Sequence, residues 1–341
     1  MPANLSPEYK AAEAGFRKAR EPRERLEALR EMLRTIPKHK GTEHLQADIK
    51  ARIKDLTAEV DSEHRPGGHG GPALVVRREG AAQIALLGAP NAGKSLLHAR
   101  LTASEAQSAP YPFTTRFPLP GMLPHEDVQF QLLDLPPLAR EHPVPWIGST
   151  LQSADAVLLV LDLAEPLLTD DLDRVHAMLA ERRISLVERW PADRGIESAA
   201  EAHEDDPFAL RLPALIVANK ADLVRDANAE IDALRELTAV PYPALATSAK
   251  TGHGLGDIGP WLFEHLGIVR VYTKLPGHPP DNKRPFTLRR GQTVRDVARL
   301  VHKDVERALR YARLWGHSGF DAQQVGPEHV VADRDVVELH A

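Results

Sequence analysis

Gly88-Ala89-Pro90-Asn91-Ala92-Gly93-Lys94-Ser95 follows the apolar run Ile84-Ala85-Leu86-Leu87 and opens a helical stretch. A strand, a glycine-bearing turn and a helix in that order form the context a phosphate-binding P-loop needs. Glycine lets the backbone turn tightly and present N–H groups to phosphate oxygens, and the positive end of the helix reinforces the attraction. In that frame Lys94 reaches the β and γ phosphates and the Ser95 hydroxyl binds Mg²⁺. The stretch predicts a P-loop nucleotide site, and by itself it does not separate ATP from GTP.

Asn219-Lys220-Ala221-Asp222 makes that separation, because it directly follows the apolar strand Leu215-Ile216-Val217 and matches a guanine-reading signature. A carboxylate at Asp222 accepts from both N1–H and the 2-amino group of guanine, donors that adenine does not offer in that arrangement. A site built around paired hydrogen bonds rejects the wrong base by roughly 10⁴-fold, since its buried polar groups would be left unsatisfied. Asn219 is expected to brace the loop and the Lys220 stem to lie across the base. Ser248-Ala249-Lys250, after the next strand, matches the loop whose backbone N–H contacts the guanine 6-oxygen. The order of the three elements points to guanine nucleotide and a Ras-like G domain, a mostly parallel α/β sheet with helices on both faces.

Two further segments concern the γ phosphate. Tyr111-Pro112-Phe113-Thr114-Thr115 lies between the P-loop and the next strand, where a switch I threonine ligates Mg²⁺; Thr115 is the first choice and Thr114 the second. Asp134-Leu135-Pro136-Pro137 ends the strand at 130–133, so Asp134 suits a role beside the Mg²⁺ ion, acting through its coordination shell. Pro137 departs from the glycine expected there, because proline has no N–H to offer a phosphate oxygen. Leu138 stands where a glutamine would orient attacking water. Lys94, Thr115 and Asp134 are thus the candidate catalytic residues, and binding is better supported than hydrolysis.

Working outward, short apolar runs at 84–87, 130–133, 157–161, 215–217 and 243–246 alternate with helical stretches, the signature of a parallel sheet covered by helices. A polar, acidic stretch at 192–206 interrupts them and reads as an exposed excursion. Upstream, Leu26, Leu29, Leu33 and Ile36, then Leu45, Ile49, Ile53, Leu56 and Val60, recur at helical spacing and predict a helical hairpin turned at Pro37. Arg65-Pro66-Gly67-Gly68-His69-Gly70-Gly71-Pro72 breaks all periodicity and reads as a linker. Downstream, 269–273 is a strand, 293–301 a capped helix and 336–339 a closing strand of a small α+β module. The expected division is a helical region at 1–65, a linker at 66–79, a G domain at 80–268 and the C-terminal module at 269–341.

The 341 residues, 43% of them hydrophobic, suffice for more than one core, and the absence of cysteine excludes disulfides and thiolate sites. No signal-peptide pattern or membrane-length apolar run occurs, so a soluble, cytoplasmic protein is expected. A net charge of −5 argues against blanket binding to nucleic acid and leaves room for a local basic face. The sixteen histidines are scattered without zinc-motif spacing.

With these residues in view, the chain resembles the Obg superfamily of GTPases, most closely the developmentally regulated GTP-binding protein (DRG) branch. The resemblance rests on Ile36-Pro37-Lys38-His39-Lys40-Gly41-Thr42, the P-loop, residues 111–115, Asn219 to Asp222, and a C-terminal module similar to a TGS domain. It implies a β-grasp fold for that module and a GTPase acting on or near the ribosome or rRNA through the helical arm and the TGS domain. It also implies K⁺ supported by Asn91. Two readings follow: a slow Mg²⁺-dependent GTPase, and a guanine-nucleotide-binding adaptor that scarcely hydrolyses. Asp222 opposes a P-loop ATPase.

Overall fold

The computed structural model describes residues 6–19, 22–37, 42–63, 76–102, 117–139, 144, 146–193, 208–238, 240–280 and 285–341. They fall into two compact units, one helical and one built on two sheets.

The helical unit contains α1 (Pro7–Lys18), α2 (Pro22–Thr35) and α3 (Glu43–Glu63). The expected hairpin is α2 and α3, with Leu26, Leu29 and Ile36 meeting Ile49 and Leu56 in one cluster. Helix α1 is an addition to that expectation. Its apolar face, Tyr9, Ala12 and Phe16, is sparse enough to escape a periodicity reading, and its start depends on Ser6, whose hydroxyl accepts from the Tyr9 N–H at 3.1 Å. The cluster also takes in Phe208, which meets Phe16 edge-on at 5.9 Å and lies under the Arg52 guanidinium at 4.2 Å. Apart from Ala192 and Asp193, the acidic stretch at 192–206 lies outside the described residues, as do the linker at 65–72 and residues 38–41.

The second unit begins with β1 (Ala82–Leu87), α4 (Lys94–Thr102), β2 (Leu119–His125), β3 (Val128–Asp134), α5 (Ile147–Ser153) and β4 (Ala156–Asp162). It continues through α6 (Leu168–Ala180), β5 (Ile184–Val187), β6 (Leu210–Asn219), α7 (Ala227–Thr238), β7 (Ala244–Ala246) and α8 (Ile258–His265). The first sheet runs β2-β3-β1-β4-β6, and the far edge of β6 is shared: β5 pairs with residues 210–213 and β7 with 216–218. All pairs are parallel except β2 with β3.

Successive residues of a strand face opposite ways, and here both faces are covered. Ala85 and Leu87 join Leu133, Leu159 and Ile216 beneath α5, α6 and α7, while Ile84 and Leu86 join Phe130, Leu158 and Val217 beneath α4 and α8. This two-sided burial is why the strands read as unbroken apolar runs. Strands β2 and β5 went unread. Leu119-Pro120-Gly121-Met122-Leu123-Pro124-His125 looks like turn sequence, yet β2 is an edge strand, where proline's missing donor costs little.

The second sheet uses β8 (Ile268–Thr273), β9 (Phe286–Arg289), β10 (Tyr311–Trp315), β11 (Gln323–Val325) and β12 (Asp335–His340), with α9 (Val294–Val301) and α10 (Lys303–Ala308). Its order is β11-β10-β12-β8-β9. Val269, Val271, Ala312, Leu314 and Val337 pack against Val294 and Val297 of α9, whose start is a capping box formed by Thr293 and Asp296. On the other face of β8, Arg270 is only 5% exposed and meets Asp333 at 2.7 Å, Asp127 at 2.9 Å and Glu126. Asp127, which also accepts from the Tyr272 hydroxyl, and Glu126 form the tip of the β2–β3 hairpin, so a buried guanidinium paired with partly exposed carboxylates joins the two sheets.

Candidate functional site

Every predicted site residue that the structure describes lies at or beyond the C-terminal ends of parallel strands, the edge where open α/β sheets bind ligands. At the end of β1 the chain must pass under its neighbours. A Cβ on Gly88, whose φ is 150°, would sit 2.2 Å from the Val160 carbonyl oxygen. One on Gly93, at φ 91°, would sit 2.4 Å from Asn219 Nδ2. Asn91 takes the left-handed region between them at φ 62°. The two glycines are therefore steric requirements of the turn that brings Ala89, Pro90 and Ala92 round to the start of α4.

Lys94 is 6% exposed, and its Nζ donates to the Gly88 and Ala89 carbonyls at 3.1 and 2.8 Å. Burial lowers its pKa to about 8, against the opposing pull of Asp134. The Ser95 hydroxyl donates to Asp134 Oδ2 at 2.7 Å, so the P-loop helix and the end of β3 meet at an oxygen pair. Behind them His98 is buried against the Leu132 carbonyl at 3.3 Å, and that burial pushes its pKa below the ordinary histidine value.

The segment after Asp134 is built into the core. Leu135 and Leu138 pack with Val144 and Ile147, Pro136 and Pro137 are buried, and the Leu138 N–H donates to the Gly88 carbonyl at 3.3 Å. The donor following Pro137 is thus committed to the P-loop backbone. Thr114 and Thr115, with the rest of 111–115, lie outside the described residues.

At the other end, Asn219 closes the site from within. Its Nδ2 donates to the Ala92 carbonyl and its Oδ1 accepts from the Ala249 N–H, both at 2.9 Å, so one buried amide holds the P-loop to the 248–250 loop. Lys220 adopts φ 61° and its ammonium pairs with Asp162 at 2.5 Å. Asp222 accepts from the Ser248 hydroxyl at 2.6 Å and has the Lys250 ammonium 4.0 Å away. The loop is tight: Gly254 is left-handed, and a Cβ there would meet the Ala246 carbonyl at 2.2 Å.

Two participants escaped the sequence reading. Asp162 ends β4 opposite Asn219 in register, a signal visible only once the strands are paired. Arg100, in the last turn of α4, donates from Nε to the Ala249 carbonyl at 3.1 Å and from Nη2 to the Lys250 carbonyl at 2.8 Å. Nothing in its local sequence marks it.

Known proteins resemble this chain in sequence and in overall fold. Residues 83–189 match the family described as 50S ribosome-binding GTPase, and residues 269–341 match the TGS domain. The chain is 27% identical to the developmentally-regulated GTP-binding protein 2 homolog of Dictyostelium discoideum, over 91% of this chain and 96% of that one. It is 25% identical to ribosome-interacting GTPase 1 of Saccharomyces cerevisiae, over 93% and 98%. The fold is similar to the YchF GTPase of Schizosaccharomyces pombe, with a TM-score of 0.51 and 15% identity over 77% of this chain and 99% of that structure. A P-loop braced to a guanine-type loop and followed by a TGS module, in a chain that aligns with these relatives nearly end to end, makes this a protein with a GTPase domain and a TGS domain, similar to the developmentally regulated GTP-binding proteins and to ribosome-interacting GTPase 1.

Proposed function

We propose that this protein binds GTP and GDP with Mg²⁺, hydrolyses GTP slowly and works at the ribosome. The observation that carries the guanine reading is the Asn219 amide, which joins the P-loop to the 248–250 loop and sets Asp222 beside Ser248. Residues Gly88 to Ser95 cradle the phosphates, Asp222 reads N1–H and the 2-amino group, and the Lys220 stem covers the base. The donor set fits Mg²⁺, since a serine hydroxyl and a buried carboxylate 2.7 Å apart are hard oxygen ligands at the head of a helix. Ser95 would hold the ion directly, together with Thr115, and Asp134 would act through its hydration shell; when bound, the ion neutralises charge developing on the phosphates. Lys94 supplies a compact cation to the same oxygens. Asn91, exposed on the P-loop, offers an amide oxygen to K⁺, and equal hydrolysis rates in K⁺ and Na⁺ would remove that part of the proposal.

Calorimetry with GTP, GDP and ATP tests the guanine assignment, and comparable ATP affinity would sink it. The alternative, an adaptor that scarcely hydrolyses, is favoured by one observation: the segment carrying Pro137 is packed into the core and tied to Gly88. Single-turnover hydrolysis with and without ribosomes separates the two.

For the partner, the family description names the 50S ribosome and one relative is named ribosome-interacting. Residues 269–341 carry 13 Lys and Arg against 9 Asp and Glu, a net +4 in a chain of net −5, which suits contact with rRNA. We place the working domains at 1–65, 80–268 and 269–341, with 66–79 as linker. Deleting 269–341 should weaken cosedimentation with ribosomes while sparing nucleotide affinity; unchanged cosedimentation would count against the assignment. No described helix is long and apolar enough to cross a membrane.

A further inference from the structure

We infer that Arg100 is a positioning residue for base recognition: it aims the Lys250 N–H at the guanine 6-oxygen. The inference rests on the guanine reading and extends it to a residue that no nucleotide-binding motif contains.

An arginine in the last turn of a helix ordinarily faces solvent or the carbonyls of its own helix. Arg100 instead sends two donors of its planar fork to consecutive carbonyls of the guanine-type loop, Ala249 at 3.1 Å and Lys250 at 2.8 Å. A trans peptide is rigid, with its C=O and N–H pointing in opposite directions. Holding the Ala249 carbonyl against α4 therefore turns the N–H of the same peptide, which belongs to Lys250, away from α4. The preceding peptide is fixed independently, because the Ala249 N–H donates to Asn219 Oδ1 at 2.9 Å. The following donor, the Thr251 N–H, goes to Ser248 Oγ at 3.1 Å.

Among the described residues, the Lys250 N–H is the one donor of these three without a protein acceptor. It is held on both sides by peptides whose orientations are set. A base whose N1–H and 2-amino group face Asp222 presents its 6-oxygen as the adjoining acceptor on the same edge. Arg100 shares α4 with Lys94 and Ser95, so a single helix sets the phosphate-binding side chains at its start and the base-reading peptide from its end.

The test compares GDP with 6-thio-GDP, whose sulfur is a weak acceptor at the position Lys250 would read. Dissociation constants are measured on the full chain with Mg²⁺ for wild type, R100A and R100K. R100A should weaken GDP by about fivefold to tenfold and 6-thio-GDP by less than about twofold, narrowing the discrimination between them. R100K should fall between, because a point donor reaches one carbonyl and not two. Equal weakening of both nucleotides would mean that Arg100 merely stabilises the fold, and no weakening would mean that it does nothing; either overturns the proposal. Failure of the guanine reading shows separately, as wild-type binding of ATP comparable to GDP.

Discussion

The two ends of the proposed nucleotide site are held by different means. At the base end, polar side chains make the framework: Asn219 spans two loops, Ser248 meets Asp222, Lys220 meets Asp162, and Arg100 grips two consecutive carbonyls. Such contacts are directional, so they fix orientation and confer selectivity. At the end proposed for the γ phosphate, the segment that follows Asp134, described up to Ala139, is held mainly by apolar packing. Leu135 and Leu138 are in the core, two prolines stiffen the chain between them, and a backbone hydrogen bond to Gly88 completes the attachment. Apolar packing is non-directional and hard to undo without exposing surface, at about 1.5–3 kcal/mol for each large side chain withdrawn. The contrast predicts a protein that discriminates bases sharply and responds weakly to the γ phosphate.

The largest expected effect breaks the base end. Asp222→Asn should cost roughly 10³- to 10⁴-fold in GDP affinity and transfer preference to xanthosine diphosphate, whose 2-oxo group accepts from the new amide. Calorimetry with the two nucleotides reads it, and retained GDP preference would place the base elsewhere.

Lys94→Ala comes next. Removing the cation that faces the phosphates should lower affinity for a non-hydrolysable GTP analogue about 100-fold, with a smaller loss for GDP. An unaffected analogue would show that the phosphates do not lie in this loop.

The same residue predicts a pH dependence. Its pKa in the free fold, about 8, lies below the ordinary lysine value because the ammonium is buried. The cost of burying that charge is present in the free protein below about pH 8 and is relieved as the pH rises, whereas the complex needs the ammonium charged. Binding above pH 8 must therefore take up a proton, and affinity should fall by about tenfold between about pH 7 and pH 9. Calorimetry in buffers of different ionisation enthalpy would show the uptake; pH-independent binding would mean that Lys94 stays protonated throughout.

The smallest effect sharpens the apolar end. Pro137→Gly restores an N–H and loosens the segment, so the analogue should bind about threefold to tenfold more tightly while GDP affinity hardly changes. An unchanged ratio would show that the core packing of Leu135 and Leu138, and not the missing donor, limits the response.

The elements that sequence alone determined share one property: their cause is local. The P-loop glycines, the guanine-type tetrad and the run 248–250 each sit beside a strand whose two buried faces make it apolar throughout, so spacing and composition reveal them. The capping box at Thr293 is legible for the same reason. What tertiary structure decided depends on residues far apart. Strand β2 is a strand because it pairs with β3 at an edge, despite its prolines. Helix α1 forms against α2 and α3 and not on its own periodicity. Arg270 acquires its meaning from Glu126, Asp127 and Asp333, and Arg100 from carbonyls about 150 residues further along the chain. A motif is recognisable when its chemistry is contained in a few consecutive residues; a charge or a proline is interpretable only when the fold brings its partners to it.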